Sequence, residues 1–360
     1  NGFRDVGIQV FDTFQVARGE LSYAAMLSDG RMGALDLDDQ KDLTGRLAWT
    51  PFVWGEPHAL HRDEVGVFAY WQEGPRTVDG ERVITSEHAL RLDHVPSAAV
   101  ILGGGVIGCE FASVWRSFGA EVTIVEALPR LIAVEDEASS KALERAFRKR
   151  KIGFRVGKPF ERVERTGDGV RVTIAGGDTI EAELLLVAVG RGPVTADLGY
   201  AEQGIRLDRG FVVTDERLRT GVGNIFAVGD IVPGLQLAHR GFAQGIFVAE
   251  EIAGLNPQVI DESGIPRITY SEPEVASMGL NESRASKLHG DKVETFTYDL
   301  GGNPKSNILR TQGFVKLVRV ADGPVVGVHM VGSRVSELIG EAQLIYNWEA
   351  YPAEVASLVH

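Results

Sequence analysis

Residues 98–126 read AAVILGGGVIGCEFASVWRSFGAEVTIVE, and the rest of the chain is arranged around them. Ala98–Leu102 is a short apolar run of the kind a buried strand shows. Gly103, Gly105 and Gly108 follow in G-x-G-x-x-G spacing. The next residues are predicted helical as far as Gly119, which suits a C-terminal stop. Glu121–Val125 carries β-branched residues in alternation and predicts a second strand, closed by Glu126, 18 residues after Gly108.

Each part has a physical task. Gly103 permits the tight turn out of the strand, Gly105 lets the backbone approach a pyrophosphate, and Gly108 lets the helix lie close to the strand. The pyrophosphate then sits at the positive N-terminus of the helix. Glu126 can accept hydrogen bonds from an adenosine ribose, and its charge repels a 2′-phosphate, which favours NAD over NADP.

The chain of 360 residues is long enough for two or three domains. Hydrophobic residues make up 44% and charged residues 24%, the balance of a globular protein. A net charge of −13 argues against a nucleic-acid or anionic-membrane surface. No apolar run approaches the length of a membrane span. The basic run Arg148–Lys151 reads as the solvated last turn of a helix. Cys109 is the one cysteine and lies in the first turn of the nucleotide-binding helix. A single thiol forms neither an internal disulfide nor a zinc cluster; a buried, inert cysteine is expected, with a thiol activated by the helix N-terminus as the alternative. The chain starts at Asn1 and stops at His360, and a fragment of a longer protein is expected.

Residues 1–82 show no sustained period. An irregular, loop-rich region is expected there, or a segment translated out of frame. From about Arg82 the pattern is regular. Glu135–Lys151 carries acids first and bases last, with Ala142, Leu143, Ala146 and Phe147 on one helical face. Strands are predicted at Phe154–Val156, Arg162–Arg165, Val170–Ile174 and Leu184–Val189, which implies a parallel sheet with an antiparallel layer. Ile225–Val228 is predicted as a strand ending in Gly229-Asp230, followed by a helix over Ala238–Ala253 with Ala243, Ile246, Phe247 and Ile252 inward. Asp230 at a strand end suits a polyol or ribose hydroxyl, or a turn or helix cap. In residues 263–360, Ile268–Tyr270, Phe314–Arg319 and Val325–Met330 are strand-like, while Val335–Trp348 and Pro352–Val359 are helix-like. That mixture predicts an α+β domain, often an oligomer interface.

Taken in order, Gly103–Glu110 with Glu126, AVGRGP at Ala188–Pro193, AVGD at Ala227–Asp230, LAH at Leu237–His239 and YSEPEVASMG at Tyr270–Gly279 resemble the pyridine-nucleotide disulfide oxidoreductases. Within them the chain is most similar to the dihydrolipoamide dehydrogenases, in an actinobacterial style, over residues 83–360.

The resemblance implies an α/β chain with an FAD/NAD(P)-binding two-dinucleotide fold and a C-terminal α+β dimerisation domain. Residues 83–205 would be the NAD-binding domain, 206–262 the second segment of the FAD domain, and 263–360 a truncated dimerisation domain. Residues 1–82 would be an irregular remnant of the FAD domain. Gly103, Gly104, Gly105, Val106, Ile107, Gly108, Cys109, Glu110 and Glu126 would bind NAD. Gly190 would contact the nicotinamide side and Phe160 the adenine. Asp230 would hold the FAD ribityl or phosphate region, with Gln236, Leu237, Ala238 and His239 along the flavin. The implied reaction takes dihydrolipoamide and NAD to lipoamide and NADH through FAD and a redox disulfide. A cytoplasmic homodimer acting with a lipoyl-bearing acyltransferase of a 2-oxoacid dehydrogenase complex follows from the same resemblance.

The chain departs from the family at both ends. The first G-x-G-x-x-G for FAD and the C-x-x-x-x-C pair are not in it, and His360 matches only the first, non-catalytic histidine of H-x-H-P-T-x-x-E. No catalytic residue and no metal ligand are assigned. Tyr70-Trp71-Gln72 stand where a flavin-contact turn is expected; read one base forward their codons encode Thr or Ile, then Gly, then Lys or Arg, which agrees with a displaced T-G turn. Gln244 stands in place of an acid. Two alternatives stay open: an FAD-dependent NADH:quinone or diaphorase-type reductase, and a non-catalytic NAD-binding remnant.

Overall fold

The computed structural model describes residues 82–358 and, before them, the backbone of four strands. The chain divides into two compact units, Asn1–Thr77 and Val78–His360. In the first, β1 (Gly7–Val16), β2 (Gly19–Ser28), β3 (Asp42–Pro51) and β4 (Val65–Gln72) pair in sequence as an antiparallel meander. Strand pairing thus occurs where the apolar pattern shows no sustained period. The other residues before 82, and residues 359–360, lie outside the described residues, as do the side chains of Tyr70, Trp71 and Gln72.

The second unit begins with β5 (Val83–Thr85) and the short helix α1 (Ser86–Ala89). Then come β6 (Ala98–Leu102), α2 (Val106–Ser117), β7 (Glu121–Val125), α3 (Glu137–Lys149) and β8 (Gly153–Arg155). The antiparallel strands β9 (Phe160–Arg165), β10 (Val170–Ile174) and β11 (Thr179–Ala182) follow, and β12 (Leu184–Val187) returns to the first sheet. The order β5-β12-β6-β7-β8 is parallel throughout, and β11-β10-β9 forms the antiparallel layer. Apolar side chains from both sheet faces explain this arrangement. Ile101, Ile124 and Leu186 pack with Cys109, Ala112, Leu143 and Phe147 of the helices, while Val100, Val125 and Leu185 pack against Val170, Val172 and Ile174 of the layer.

Helix α3 takes Asp136 as N-cap, its carboxylate accepting from Ala138 N at 2.9 Å, and has Leu143 and Phe147 buried as the pattern predicts. Of the basic run at its end, Arg148 and Lys149 are exposed in the last turn as expected, but Arg150 is not simply solvated. The Arg150 guanidinium donates to Ser113 Oγ and Ser117 Oγ, both at 2.7 Å, and to Glu272 O at 2.9 Å, tying α3 to α2 and to the segment beyond. A guanidinium with several donors satisfies backbone and hydroxyl acceptors that a solvated cation would leave to water.

The strands β13 (Leu207–Asp208) and β14 (Phe211–Val212) make a small hairpin. The predicted strand Ile225–Val228 is not a sheet strand: among the described residues only Phe226 pairs, in an isolated bridge with Arg219, and Gly229–Ile231 forms a 3-10 turn. A sheet strand needs a ladder, and among the described residues the backbone bonds of this segment go only to the adjoining turn at Leu218, Thr220 and Val222. Helix α4 (Ala238–Ile252) is present, but its buried face is Arg240, Gln244 and Phe247. The expected inward residues Ile246 and Ile252 are 63% and 69% exposed, and Phe242 is 73% exposed. The polar side chains are drawn in because they satisfy the loop beside them.

The last sheet runs β15 (Arg267–Thr269), β16 (Glu274–Gly279), β19 (Val325–Gly332), β18 (Phe314–Val320), β17 (Val293–Asp299), all antiparallel. Helices α5 (Glu282–His289) and α6 (Pro304–Leu309) lie in its connections. Helix α7 (Val335–Asn347) packs Val335, Ile339 and Ala342 on one face with Met278, Val328 and Met330, and α8 (Pro352–Ala356) ends the described chain. From the opposite face Val275, Phe314 and Val331 join the core of the parallel sheet.

Candidate functional site

The site forms at the C-terminal edge of the parallel sheet, where β6 leads into α2. Gly103 holds φ +112°, a conformation that side chains disfavour, and a Cβ there would press on Ala188 O just beyond β12. Its N–H donates to Val125 O at 2.8 Å, and Ala188 N donates to Leu102 O at 2.8 Å. A Cβ on Gly108 would collide with Gly103 O, so only glycine lets α2 start this close to the strand. Around Gly105 a Cβ would meet nothing within 4 Å, which leaves open space before the helix.

Helix α2 has Gly105 as N-cap, with no side-chain cap hydrogen bond among the described residues. Its first i→i−4 bond is Cys109 N–H to Gly105 O, so the amides of Val106, Ile107 and Gly108 have no helical acceptor. These amides and the helix dipole suit an anion.

Glu126, just past β7, closes the site. One carboxylate oxygen accepts from Gly104 N at 2.6 Å and the other from Leu128 N at 2.7 Å. The carboxylate is therefore fixed beside the glycine loop by two backbone donors. Lys158 N donates to Glu126 O at 3.1 Å, which brings the segment leading to Phe160 alongside. Phe160 opens β9 and packs against the cluster of Val170 and Val172. Gly190 holds φ +128° two residues beyond the Ala188 carbonyl that touches Gly103.

Cys109 is fully buried, with Sγ 3.5 Å from Gly104 O, and burial pushes its thiol well above the ordinary range. The expectation of an inert cysteine holds. Burial also pushes the Glu110 carboxyl up, partly offset by the bond it accepts from Tyr270 N at 2.8 Å.

The second expected group sits elsewhere, over its own apolar cluster of Ile205, Val212, Ala227 and Val232. Asp230 lies in the 3-10 turn, and its carboxylate accepts no hydrogen bond from a described residue, so it caps nothing. Gln236 Nε2 stands 3.5 Å from Asp230 O. Leu237 is the N-cap of α4 and Ala238 its first residue, again with no side-chain cap. His239 Nε2 bonds to Pro266 O at 2.8 Å, a tether to the start of the last sheet.

Gln244, which the motif reading noted only as standing in place of an acid, and Arg240, which it did not place, are central here. Gln244 Oε1 accepts from Gly229 N at 2.7 Å, and Arg240 donates to Pro233 O at 2.6 Å and to the Glu262 carboxylate at 2.8 Å. Together they hold the turn carrying Asp230. Their polarity at i and i+4 on a helix between apolar residues is the signal for them in the sequence. Among the described residues no cluster of side chains could hold a metal ion, and no helix is long and apolar enough to cross a membrane.

Residues 66–245 match the pyridine nucleotide-disulphide oxidoreductase family, and residues 265–360 match its dimerisation domain. Dihydrolipoyl dehydrogenase from Bacillus subtilis is 36% identical over 290 residues, which is 79% of this chain and 61% of the relative. The enzyme of that name from Chlorobaculum parvum is 39% identical over 288 residues, 78% of this chain and 61% of its own length. The chain thus spans about three fifths of the length of these curated relatives. Among solved structures, LpdA from Mycobacterium tuberculosis aligns with a TM-score of 0.73 at 26% identity, covering 88% of this chain and 70% of the other. The HOCl-induced flavoprotein disulfide reductase RclA from Escherichia coli aligns at 0.72 and 25% identity, covering 79% and 66%. With the glycine loop, the layered α/β sheets and the α+β C-terminal domain in the order these matches require, the chain belongs to the pyridine nucleotide-disulphide oxidoreductase family, whose members use FAD and NAD.

Proposed function

We propose that this chain is the NAD-binding and dimerising part of an FAD-dependent oxidoreductase of the dihydrolipoyl dehydrogenase type. In this reading residues 83–205 bind NAD, 206–262 complete an FAD domain begun in 1–82, and 263–360 pair two copies as a homodimer. The observation that carries it is Glu126, held by Gly104 N–H beside a helix N-terminus with no side-chain cap among the described residues. That arrangement offers amides to a pyrophosphate and a carboxylate to a ribose in one place.

The residues present fit both dinucleotides to different extents. The amides of Val106, Ile107 and Gly108 bind the pyrophosphate of NAD, and Gly105 leaves room for it. Glu126 orients the ribose and disfavours a 2′-phosphate, Phe160 borders the adenine, and Gly190 borders the nicotinamide. For FAD, Asp230 offers a carboxylate that no described residue engages, and the Gln236–His239 segment offers the amides of a helix start. When bound, flavin and nicotinamide supply hydride transfer, coupled in this family to a thiol pair. Cys109 is not part of such a pair, being buried in the nucleotide-binding helix.

The names of the relatives support dihydrolipoamide as reductant, and a cytoplasmic setting with a lipoyl-bearing acyltransferase as partner is part of the same proposal. A diaphorase-type reduction is the second reading, since it needs no thiol pair, and the sequence upstream of this chain decides between the two.

Titration of the 360-residue chain with NADH tests the proposal. Saturable binding, with NADPH at least about tenfold weaker, is expected. Absence of NADH binding by folded protein sinks it. The nucleotide sequence on both sides of this reading frame tests the parent activity: C-x-x-x-x-C upstream and H-P-T-x-x-E downstream support lipoamide chemistry, and a continuous frame without the cysteines favours the second reading. Stops in the shifted frame across residues 40–75 would exclude the frame-shift.

A further inference from the structure

The last sheet turns two rows of side chains toward α3. One row, Val275–Val331–Phe314, is apolar and part of the core around α2 and α3. The next row, Ser277–His329–Lys316, is polar, and all three side chains are buried. Against it lie Glu135 and Asp136, the last two residues before α3, only 3% and 2% exposed. Ser277 Oγ donates to one Glu135 oxygen, and Arg267 Nε donates to the other at 3.1 Å. Lys316 Nζ donates to both Asp136 oxygens, at 2.9 and 3.1 Å, and to Glu282 at 2.6 Å.

The apolar row already joins sheet and helices, and a buried ion pair adds little net stability over an apolar pair. What ion pairs of this kind supply is a fixed position, and the fixed object here leads straight to the glycine loop. Glu135 N–H donates to Ile132 O at 2.9 Å, and Ile132 N–H donates to Gly104 O at 2.7 Å. Ile132 holds φ +42°, a backbone state that a β-branched residue rarely adopts unaided. Its side chain is buried in the core, and Ser140 Oγ reaches its carbonyl at 3.4 Å. Two backbone hydrogen bonds therefore separate the polar seam from the residue whose N–H binds Glu126.

We propose that Lys316 and Glu135 are positioning residues for dinucleotide binding. By anchoring residues 135–136 on the last sheet, they seat Ile132 against Gly104 and keep the Gly103–Gly105 loop in the shape that receives a pyrophosphate. Its meaning for binding rests on the reading of that loop as the NAD site, but the mechanical link does not.

Hydrogen exchange on the full chain without nucleotide tests the link, read at the amides of Gly104 and Ile132. Lys316→Met is expected to speed exchange at both by about tenfold through local opening. Ser277→Ala, a milder change that removes one donor to Glu135, moves them in the same direction by a smaller factor and decides the matter if Lys316→Met does not fold. Leu317→Ala is the control for lost stability, because Leu317 lies on the same strand but packs in the α7 cluster. It is expected to leave Gly104 and Ile132 at wild-type rates. Unchanged protection in the seam variants, or equal acceleration by Leu317→Ala, overturns the proposal. NADH titration of the same proteins separates the two levels. Failure of the wild type to bind removes the NAD reading and leaves the exchange result standing. Binding by the wild type with weaker affinity in Lys316→Met extends the link to the ligand, and equal affinities refute that extension.

Discussion

The segments Gly103–Glu110 and Gly229–His239 are built alike: a glycine with positive φ, an acidic residue nearby, and a helix that starts without a side-chain cap. They differ in what stands behind them. The first grows from β6, which is flanked by β12 and β7 in a five-stranded sheet, and its glycines meet backbone atoms of both neighbours. The second follows a segment with one bridge to Arg219 and relies on two side chains of α4, Gln244 and Arg240, for its shape. The first turn is preorganised by a sheet and the second by two polar side chains. A motif marks where a ligand can sit, and the neighbours of that motif decide how rigidly the place is held.

The largest expected effect breaks the first segment. Gly108→Ala puts a Cβ into Gly103 O, where both sides are backbone and neither can yield cheaply. A loss of about 3 kcal/mol or more and of NADH binding is expected by thermal unfolding and titration. An unmoved melting temperature would show that the sheet does not lock this turn. Next, Glu126→Ala leaves Gly104 and Leu128 amides without their acceptor, and NADH affinity should fall about 10–100-fold, in line with a charge-assisted hydrogen bond of about 1.5–3 kcal/mol. Gln244→Leu addresses the second segment. It leaves Gly229 N–H unpaired, costs about 1–2 kcal/mol, and should leave NADH affinity within about twofold. Equal damage to NADH binding would mean that the two segments are one mechanical unit.

Smaller still is a pH effect. His329 is buried, with Nε2 3.0 Å from Leu280 O and Nδ1 without a partner among the described residues, and burial holds its pKa below the ordinary value of 6.5. Around it stand Glu135, Asp136, Lys316, Arg267 and Glu282. With the folded pKa depressed, the unfolded chain takes up this proton first as pH falls. Stability should therefore drop from about pH 6.5 downward, and His329→Gln should flatten that part of the profile of melting temperature against pH. The smallest expected effect is at Cys109: a thiol reagent at about pH 8 should leave it unmodified until denaturant is added, given its burial.

What the sequence made legible follows from the range of the forces involved. β6, α2, β7 and Glu126 could be read because an apolar run, three glycines and a β-branched alternation are local signals. α3 was readable from its charge order, and its buried Leu143 and Phe147 follow. β16, with Val275 to Gly279 all buried, gave no alternation to read, and β17 and α5 were missed as well. The inward face of α4 was misread because hydrophobicity alone pointed to Ile246 and Ile252. Arg240 and Gln244 turn inward to serve the loop beside them, a tertiary demand that no window of sequence carries. Arg150 is the same lesson: its partners Ser113 and Glu272 lie 37 and 122 residues away. The assignment of Asp230 to FAD is untouched by these corrections and stands as proposed.

The strand order β5-β12-β6-β7-β8 has a kinetic consequence. β6, β7 and β8 are neighbours in both sequence and space and can assemble as the chain emerges. β12 must slot between β6 and β5 after the whole β9–β11 layer has been made. Until Val187 has left the ribosome, one edge of β6 is an unpaired row of amides and carbonyls, the kind of edge that recruits other chains. Ala188 follows directly and is what closes over Gly103, so the glycine turn is the last part of this sheet to mature. A nascent chain halted before Leu184 should therefore aggregate, and one halted beyond Gly190 and clear of the exit tunnel should not.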